Sequence, residues 1–146
     1  MKNEIKYVNL GIVGSRTYTD YNKFLEVVHT IVDRYGIVPK EIVSGGAKGG
    51  DKYAEEYARE FEIALKVFPA KWVDENGFYD NAAGMKRNVF IIQYSDFIIA
   101  IWDGESKGTK NSINIAKNLN KPIIVYNYIE DKYYEFNIKE KDILEN

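Results

Sequence analysis

The sequence predicts an α/β fold, a three-layer sandwich in which helices cover both faces of a mostly parallel sheet of five or more strands. Two observations predict it. Short apolar runs alternate along the chain with longer segments of helical periodicity, the order typical of a parallel sheet. Glycine-containing turns follow several of the apolar runs, as expected where a strand ends and a helix begins.

The strand predictions rest on short apolar runs that stop at turn-forming residues. The first run ends at Gly14, and the run at residues 97–101 is apolar without interruption, which favours a strand buried on both faces. The predicted strands are residues 8–13, 42–43, 63–68, 97–101 and 122–126, with an additional edge strand at residues 133–138.

The helix predictions rest on apolar side chains spaced three and four residues apart. In the first helix this stripe runs from Phe24 to Tyr35, and Gly36 is placed to end it. Asp51 is placed to cap the second helix. The third and fourth helices are predicted at residues 85–94 and 109–119. Residues 70–83 form a connection of a length that is more often functional than accidental.

Length and composition restrict the class of protein. With 146 residues we expect a single domain over residues 1–146, in which residues 139–146 are a charged tail. The chain has no cysteine and one histidine, so we predict no disulfide and no metal site. No segment approaches the roughly 20 apolar residues of a membrane helix. We therefore expect a cytoplasmic protein without membrane contact.

Three glycine-containing loops should lie together at one edge of the sheet. In a parallel sheet every strand-to-helix loop emerges at the carboxyl edge, where open α/β sheets bind ligands. Backbone N–H groups at helix N-termini favour phosphate there, so we expect a small anionic ligand. The candidate binding residues in these loops are Gly14, Ser15 and Arg16; Ser44, Gly45, Gly46, Ala47, Lys48, Gly49 and Asp51; and Asp103, Ser106, Lys107, Gly108 and Thr109.

Each candidate also has a structural alternative. The four glycines at residues 45–50 either make a tight connection or let the backbone approach a ligand, and their number favours the ligand. Asp51 either caps its helix or contacts a sugar hydroxyl. Ser106 and Thr109 either cap the fourth helix or bind the ligand. Trp72 either packs against the protein or stacks on a base.

These segments together resemble the SLOG superfamily, and within it the YspA-type group. The matching stretches, in order, are GIVGSRTYTD, IVSGGAKGGDKYAEEYARE, FPAKW and GMKRNVFIIQYSDFIIAIWDGESKGT. The resemblance implies a Rossmann-like domain that binds a nucleotide or nucleotide-derived ligand, as a sensor, sequestering or processing module. It adds Arg87 and Asn88 to the site, implies a homo-oligomer, and places some members in conflicts between phages and bacteria.

Two more distant relatives supply alternative functions. The lonely-guy phosphoribohydrolases carry a Pro-Gly-Gly-x-Gly-Thr-x-x-Glu motif with an active-site glutamate, and here Ser112 stands at that position. We therefore favour binding over N-glycosidic hydrolysis, assign no catalytic residue, and expect no cofactor beyond a nucleotide or ADP-ribose-like ligand. DNA-processing protein A has a similar glycine segment and a later Arg-Asn pair, which leaves single-stranded DNA binding as a third alternative. Because the net charge is −2, nucleic acid is not expected as a partner.

Overall fold

The computed structural model describes residues 6–46 and 49–139, which form one six-stranded sheet flanked by four helices. The predicted α/β sandwich is confirmed. Two candidate residues, Ala47 and Lys48, and residues 140–146 of the predicted tail lie outside the described residues. In chain order the elements are β1 (Lys6–Gly14), α1 (Tyr21–Tyr35), β2 (Ile37–Ser44), α2 (Gly50–Glu60), β3 (Ala64–Val67), α3 (Ala83–Tyr94), β4 (Phe97–Trp102), α4 (Lys107–Asn118), β5 (Ile123–Asn127) and β6 (Lys132–Phe136).

The strand order is β3-β2-β1-β4-β5-β6, in which β1 to β5 are parallel and β6 is antiparallel to β5. The chain builds outward from β1 to β3 and then returns to place β4 on the other side of β1. The order therefore reverses between β1 and β4, and the loops that follow these two strands separate towards opposite faces. A crevice at such a switch point is where open α/β sheets bind ligands.

The two faces of the sheet carry two apolar cores, because successive strand side chains point to opposite faces. Leu10 and Ile12 of β1 belong to the core beneath α1 and α2, whereas Val13 belongs to the core beneath α3 and α4. Residues 97–101 of β4 are buried throughout and supply both cores. The prediction of a strand buried on both faces is thus confirmed.

The ends of α1 follow from local sequence. Asp20 caps the helix by accepting a hydrogen bond from the Lys23 backbone N–H at 3.0 Å. Gly36 ends it in the left-handed region with φ of 63°, and its N–H donates to the Val32 carbonyl. The predicted end at Gly36 is confirmed.

Tertiary pairing rather than apolar pattern sets several boundaries. β2 begins at Ile37, five residues before the predicted start, because its first half also pairs with β1, from Lys6↔Ile37 onward. The third helix begins two residues earlier than predicted, at Ala83. No helix in the described part of the chain is long and apolar enough to cross a membrane.

Candidate functional site

A cavity of about 280 Å³ lies at the switch point between β1 and β4. The end of β1 and the first turns of α2, α3 and α4 surround it, so several helix N-termini face one space. The lining residues are Val13, Gly14, Arg16, Asp51, Trp72, Asn81, Gly84, Met85, Arg87, Asn88, Ser106, Gly108, Thr109 and Ser112. We call this cavity the switch-point pocket.

Glycines let the first two loops interlock beside this pocket. A Cβ atom added to Gly50 would lie 2.6 Å from the Cα atom of Gly14, and one added to Gly49 would lie 2.7 Å from the carbonyl carbon of Arg16. The Gly50 N–H also donates to the Ser15 carbonyl at 3.3 Å. Much of the glycine content at residues 45–50 therefore accommodates the protein's own backbone.

Asp51 occupies a different place from the predicted helix cap. The cap position of α2 belongs to Gly49, and Asp51 lies in the first helical turn. Its buried carboxylate reaches across to β1, where Oδ1 accepts a hydrogen bond from the Gly14 N–H at 3.2 Å. The predicted cap is wrong because Gly49 and Gly50 pack against the β1–α1 loop, which carries Asp51 past the cap position. Asp51 instead ties α2 to the end of β1.

Arg87 joins α3 to the loop after β2. Its half-buried guanidinium donates to the carbonyls of Gly45 and Phe68, and its Nε donates to the Gly84 carbonyl at 3.3 Å. Gly45 is buried against this side chain, and a Cβ atom there would lie 2.9 Å from Asp51 Oδ2. Arg87 is thus both a wall of the pocket and a support for the glycine loop.

Two arginines bring positive charge to the pocket. Burial lowers the pKa of the Arg87 guanidinium, Asp51 opposes that change, and the charge of Arg16 lowers the pKa further. Arg16 is exposed and makes no hydrogen bond or ion pair with any described residue. An anion between the two guanidinium groups would offset their mutual repulsion.

The side of the pocket formed by α4 is polar and buried. Thr109 is 5% exposed and Ser112 is 1% exposed, yet neither hydroxyl has a hydrogen-bond partner among residues 6–46 and 49–139. Asn88 is also buried, and its Nδ2 donates to the Gly108 carbonyl at 3.3 Å. Among the described residues the Tyr18 hydroxyl is the one fully enclosed side-chain polar atom without a partner, so the hydroxyls of Thr109 and Ser112 keep some accessible surface. Both of these line the pocket, where a ligand can hydrogen-bond to them.

Half of the predicted candidates line the pocket. Ser106 holds the cap position of α4, although its side chain makes no capping hydrogen bond. The predicted residues that line the pocket are Gly14, Arg16, Asp51, Trp72, Arg87, Asn88, Ser106, Gly108 and Thr109. Those that do not are Ser15, Ser44, Gly45, Gly46, Gly49, Asp103 and Lys107.

Ser44 and Asp103, two of the candidates that do not line the pocket, hold the loop backbone with side-chain hydrogen bonds. The Ser44 hydroxyl donates to the Asp51 carbonyl at 3.2 Å and accepts from the Gly46 N–H at 3.2 Å. Asp103 Oδ1 accepts from the N–H groups of Glu105 and Ser106, at 2.9 and 2.7 Å. These side chains fix the backbone that forms the pocket.

Sequence reasoning missed five lining residues, Val13, Asn81, Gly84, Met85 and Ser112, the last of which it named only as the position of the phosphoribohydrolase glutamate. Three of them lie at or just before the first turn of α3. The argument that brought the other loops to the carboxyl edge applies to this turn as well, because α3 runs back to the sheet before β4. The same argument could therefore have predicted these residues, but the start of α3 after the long connection was placed two residues too late.

Trp72 lies at the pocket wall and is 36% exposed. Its ring is stacked on Tyr79, with centroids 5.9 Å apart and an interplanar angle of 13°. A Cβ atom on Gly84 would lie 3.4 Å from the indole, so the ring also packs against α3. The two expected roles, packing and presenting an aromatic face, are therefore compatible.

Residues 11–74 match the model of YAcAr, the YspA, cpYpsA-related SLOG family. The resemblance to the SLOG family is confirmed over this stretch. The SLOG match includes the loops that follow β1 and β2 and ends before α3. The similarity inferred for the later segments, including Arg87 and Ser112, lies beyond it.

Two known proteins are similar to parts of the chain. The SPbeta prophage-derived protein YoqJ of Bacillus subtilis is 39% identical over 44 residues, which is 30% of this chain and 26% of YoqJ. The structure of DNA processing protein A from Helicobacter pylori superposes with a TM-score of 0.60 at 22% identity, covering 81% of this chain and 64% of that one. The chain thus spans less than two thirds of either relative.

The structural match corrects one expectation. DNA processing protein A is described by its single-stranded DNA binding mode, and it shares the fold of this chain. The expectation that nucleic acid is not a partner was therefore wrong. It rested on a net charge of −2, and overall charge is a poor guide where a binding surface is local.

Proposed function

We propose that the switch-point pocket binds a nucleotide or another nucleotide-derived ligand that carries a phosphate. The observation that carries this proposal is the pair Thr109 and Ser112, two mostly buried residues that line the pocket and whose hydroxyls have no hydrogen-bond partner among the described residues. Arg16 and Arg87 add positive charge to the same space. Hydroxyl donors, guanidinium groups and helix N-termini are the groups that proteins use to hold phosphate.

The geometry favours a binding module over a hydrolase. Asp51 is the one carboxylate among the described residues that line the pocket, and its Oδ1 already accepts from the Gly14 N–H. Ser112 lines the pocket at the position where the phosphoribohydrolase motif has its glutamate. N-glycosidic cleavage requires a carboxylate to stabilise positive charge on the sugar. We therefore propose binding without turnover.

A matched pair of substitutions at Thr109 tests the proposal. Thr109→Val removes the hydroxyl but keeps the shape, whereas Thr109→Ser keeps the hydroxyl. Calorimetric titration with nucleoside mono- and diphosphates and ADP-ribose should show affinity about five-fold weaker for the valine variant. The serine variant should bind like the wild type. Equal binding by the two variants, or no binding of any nucleotide by the wild type, would refute the proposal.

Single-stranded DNA is a second candidate ligand, favoured by the exposed aromatic pair at the pocket wall. Trp72 and Tyr79 are stacked on each other and are 36% and 65% exposed, and Phe78 beside them is 70% exposed. Stacking on exposed aromatic rings is how many proteins hold unpaired bases. The fold match to a protein described as binding such DNA supports the same candidate.

Fluorescence anisotropy with a labelled oligothymidylate separates the two candidates. If DNA is the ligand, its affinity should fall steeply with salt, with a log–log slope of about −0.7 for each phosphate neutralised. The Trp72 fluorescence of a Trp102→Phe variant should also be quenched by the oligonucleotide. Binding of mononucleotides with no measurable DNA affinity would reject the second candidate and leave the first.

A further inference from the structure

A second cavity, of about 560 Å³, lies between α4 and the hairpin of β5 and β6. It is on the other side of α4 from the switch-point pocket. The switch-point pocket uses Thr109 and Ser112 of that helix, whereas the second cavity uses Lys110, Ile113 and Lys117. The two share no lining residue. We call this space the hairpin cavity.

Aromatic rings form much of the wall of the hairpin cavity, and each is held by a contact of its own. Trp102 donates its indole N–H to the Ser106 carbonyl at 3.0 Å. Tyr134 donates its hydroxyl to Glu130 at 2.8 Å, and Lys117 Nζ lies 4.2 Å from the centroid of Phe136. The rings are therefore positioned before any ligand arrives, which limits the entropy lost on binding.

One buried side-chain amide in this cavity, that of Asn127, makes hydrogen bonds through its oxygen but not through its nitrogen. Asn127 is 8% exposed, and its Oδ1 accepts hydrogen bonds from the N–H groups of Ile129 and Glu130 at 3.0 and 3.1 Å. Its Nδ2 donates to no acceptor within the described part of the chain. Gly104, at φ of 87°, leaves room beside this nitrogen, since a Cβ atom there would lie 3.2 Å from it. The unused donor is kept accessible.

The charges around the cavity disfavour an anionic ligand. Three carboxylates line it, those of Asp103, Glu105 and Glu130, against the two ammonium groups of Lys110 and Lys117. Asp103 is engaged with backbone N–H groups, Glu130 with the Tyr134 hydroxyl and Lys117 with an aromatic ring. Most of the exposed surface of the cavity is apolar. A phosphate would gain little here, whereas an uncharged flat ring would gain apolar contact on its faces.

We propose that the hairpin cavity is a second ligand site, which takes an uncharged heteroaromatic ring of the nucleobase type. Asn127 Nδ2 donates to a ring nitrogen or carbonyl, and Trp102, Tyr134 and Phe136 pack against the ring. The volume lies within the range of small-molecule sites, which run from about 300 to 1,000 Å³. The site is distinct from the switch-point pocket, since no residue lines both.

The two tryptophans of the chain report on the two cavities separately, because Trp72 lines the switch-point pocket and Trp102 lines the hairpin cavity. Heteronuclear NMR of the whole chain, titrated with adenosine, should shift the Trp102 indole N–H and the Asn127 side-chain amide. The Trp72 indole should not move. Inorganic phosphate should leave the Trp102 signal unchanged, so failure of one site is distinguishable from failure of the other.

Asn127→Asp is the decisive variant, because a carboxylate still accepts the two backbone N–H groups but has no N–H to donate. Its affinity for adenosine should be about ten-fold weaker than that of the wild type. Asn22→Asp makes the same change in charge at an exposed position in the first turn of α1, far from Asn127 in the sequence. This variant should bind adenosine normally. Tyr134→Ala removes one wall without touching the turn and should also weaken binding.

Four results would overturn the proposal. Adenosine shifts centred on the Trp72 indole would place the ring in the switch-point pocket. Equal affinities of Asn127→Asp and Asn22→Asp would remove the amide from the site. Shifts at Trp102 that follow protein concentration without ligand would mean that a second copy covers the cavity, and shifts with an aromatic peptide but not adenosine would mean a protein partner.

Discussion

Replacing Gly50 with alanine should destabilise the protein by about 3 kcal/mol. The new Cβ atom would lie 2.6 Å from the Cα atom of Gly14 and 3.3 Å from its backbone N and carbonyl carbon. Carbon atoms prefer a separation of about 3.5–4.0 Å, so the two loops must move apart by about 1 Å. No side chain can rotate to relieve the clash, because the atoms concerned belong to the backbone.

The displacement must occur on the α2 side. β1 is held between two parallel neighbours, with Gly11 opposite Val43 and Gly14 opposite Ile101. Moving α2 weakens two hydrogen bonds, one from the Gly50 N–H to the Ser15 carbonyl and one from the Gly14 N–H to the Asp51 carboxylate. Two such bonds are worth about 1 kcal/mol each, and overpacking adds about 1–3 kcal/mol, which gives the estimate above.

Thermal unfolding followed by far-UV circular dichroism measures the effect. For a chain of this length, about 3 kcal/mol lowers Tm by about 10 °C. Gly108→Ala is the matched control, since a Cβ atom there meets no atom within 4 Å and the position is helical. That variant should keep its stability or gain about 0.5 kcal/mol. If the Gly50→Ala variant had the same Tm as the Gly108→Ala control, the close packing of the two loops would be refuted.

The remaining predictions concern one ligand contact and one helix end. Arg16→Ala should weaken nucleotide binding about ten-fold. It should not change Tm, because the Arg16 side chain has no partner among the described residues. Arg59→Ala, at an exposed position on α2, is the control and should bind the nucleotide normally. Gly36→Ala should lower Tm by about 3 °C, since its left-handed φ of 63° costs a residue with a side chain about 1 kcal/mol. An Arg16 variant with full affinity, or a Gly36 variant with an unchanged melt, would contradict the respective argument.

The run of glycines after β2 shows where sequence reasoning reached its limit. Four glycines in six residues exceed what a turn requires, and this pattern alone predicts a ligand. In the structure Gly49 and Gly50 lie against the β1–α1 loop, and Gly45 lies against Arg87. A glycine indicates that something comes close to the backbone. The sequence does not say whether that neighbour is a ligand or a distant part of the same chain.

Arg87 illustrates the same limit for a charged residue. Its place at the site came from a family resemblance, and it does line the pocket. Its hydrogen bonds to the carbonyls of Gly45, Gly84 and Phe68 also make it a structural link between α3 and two loops. An Arg87→Ala variant would therefore confound loss of ligand contact with loss of support, which is why Thr109 and Arg16 are the better probes.

The sequence by itself determined the α/β class, the alternation of strands and helices, and the meeting of the glycine loops at one edge. These features follow from local periodicity and from the rule that parallel strands end on the same side. Only the tertiary structure decided which polar groups remain without a partner, such as the hydroxyls of Thr109 and Ser112 and the Nδ2 of Asn127. Whether a group has a partner depends on distances between segments far apart in the chain, and no local pattern contains those distances.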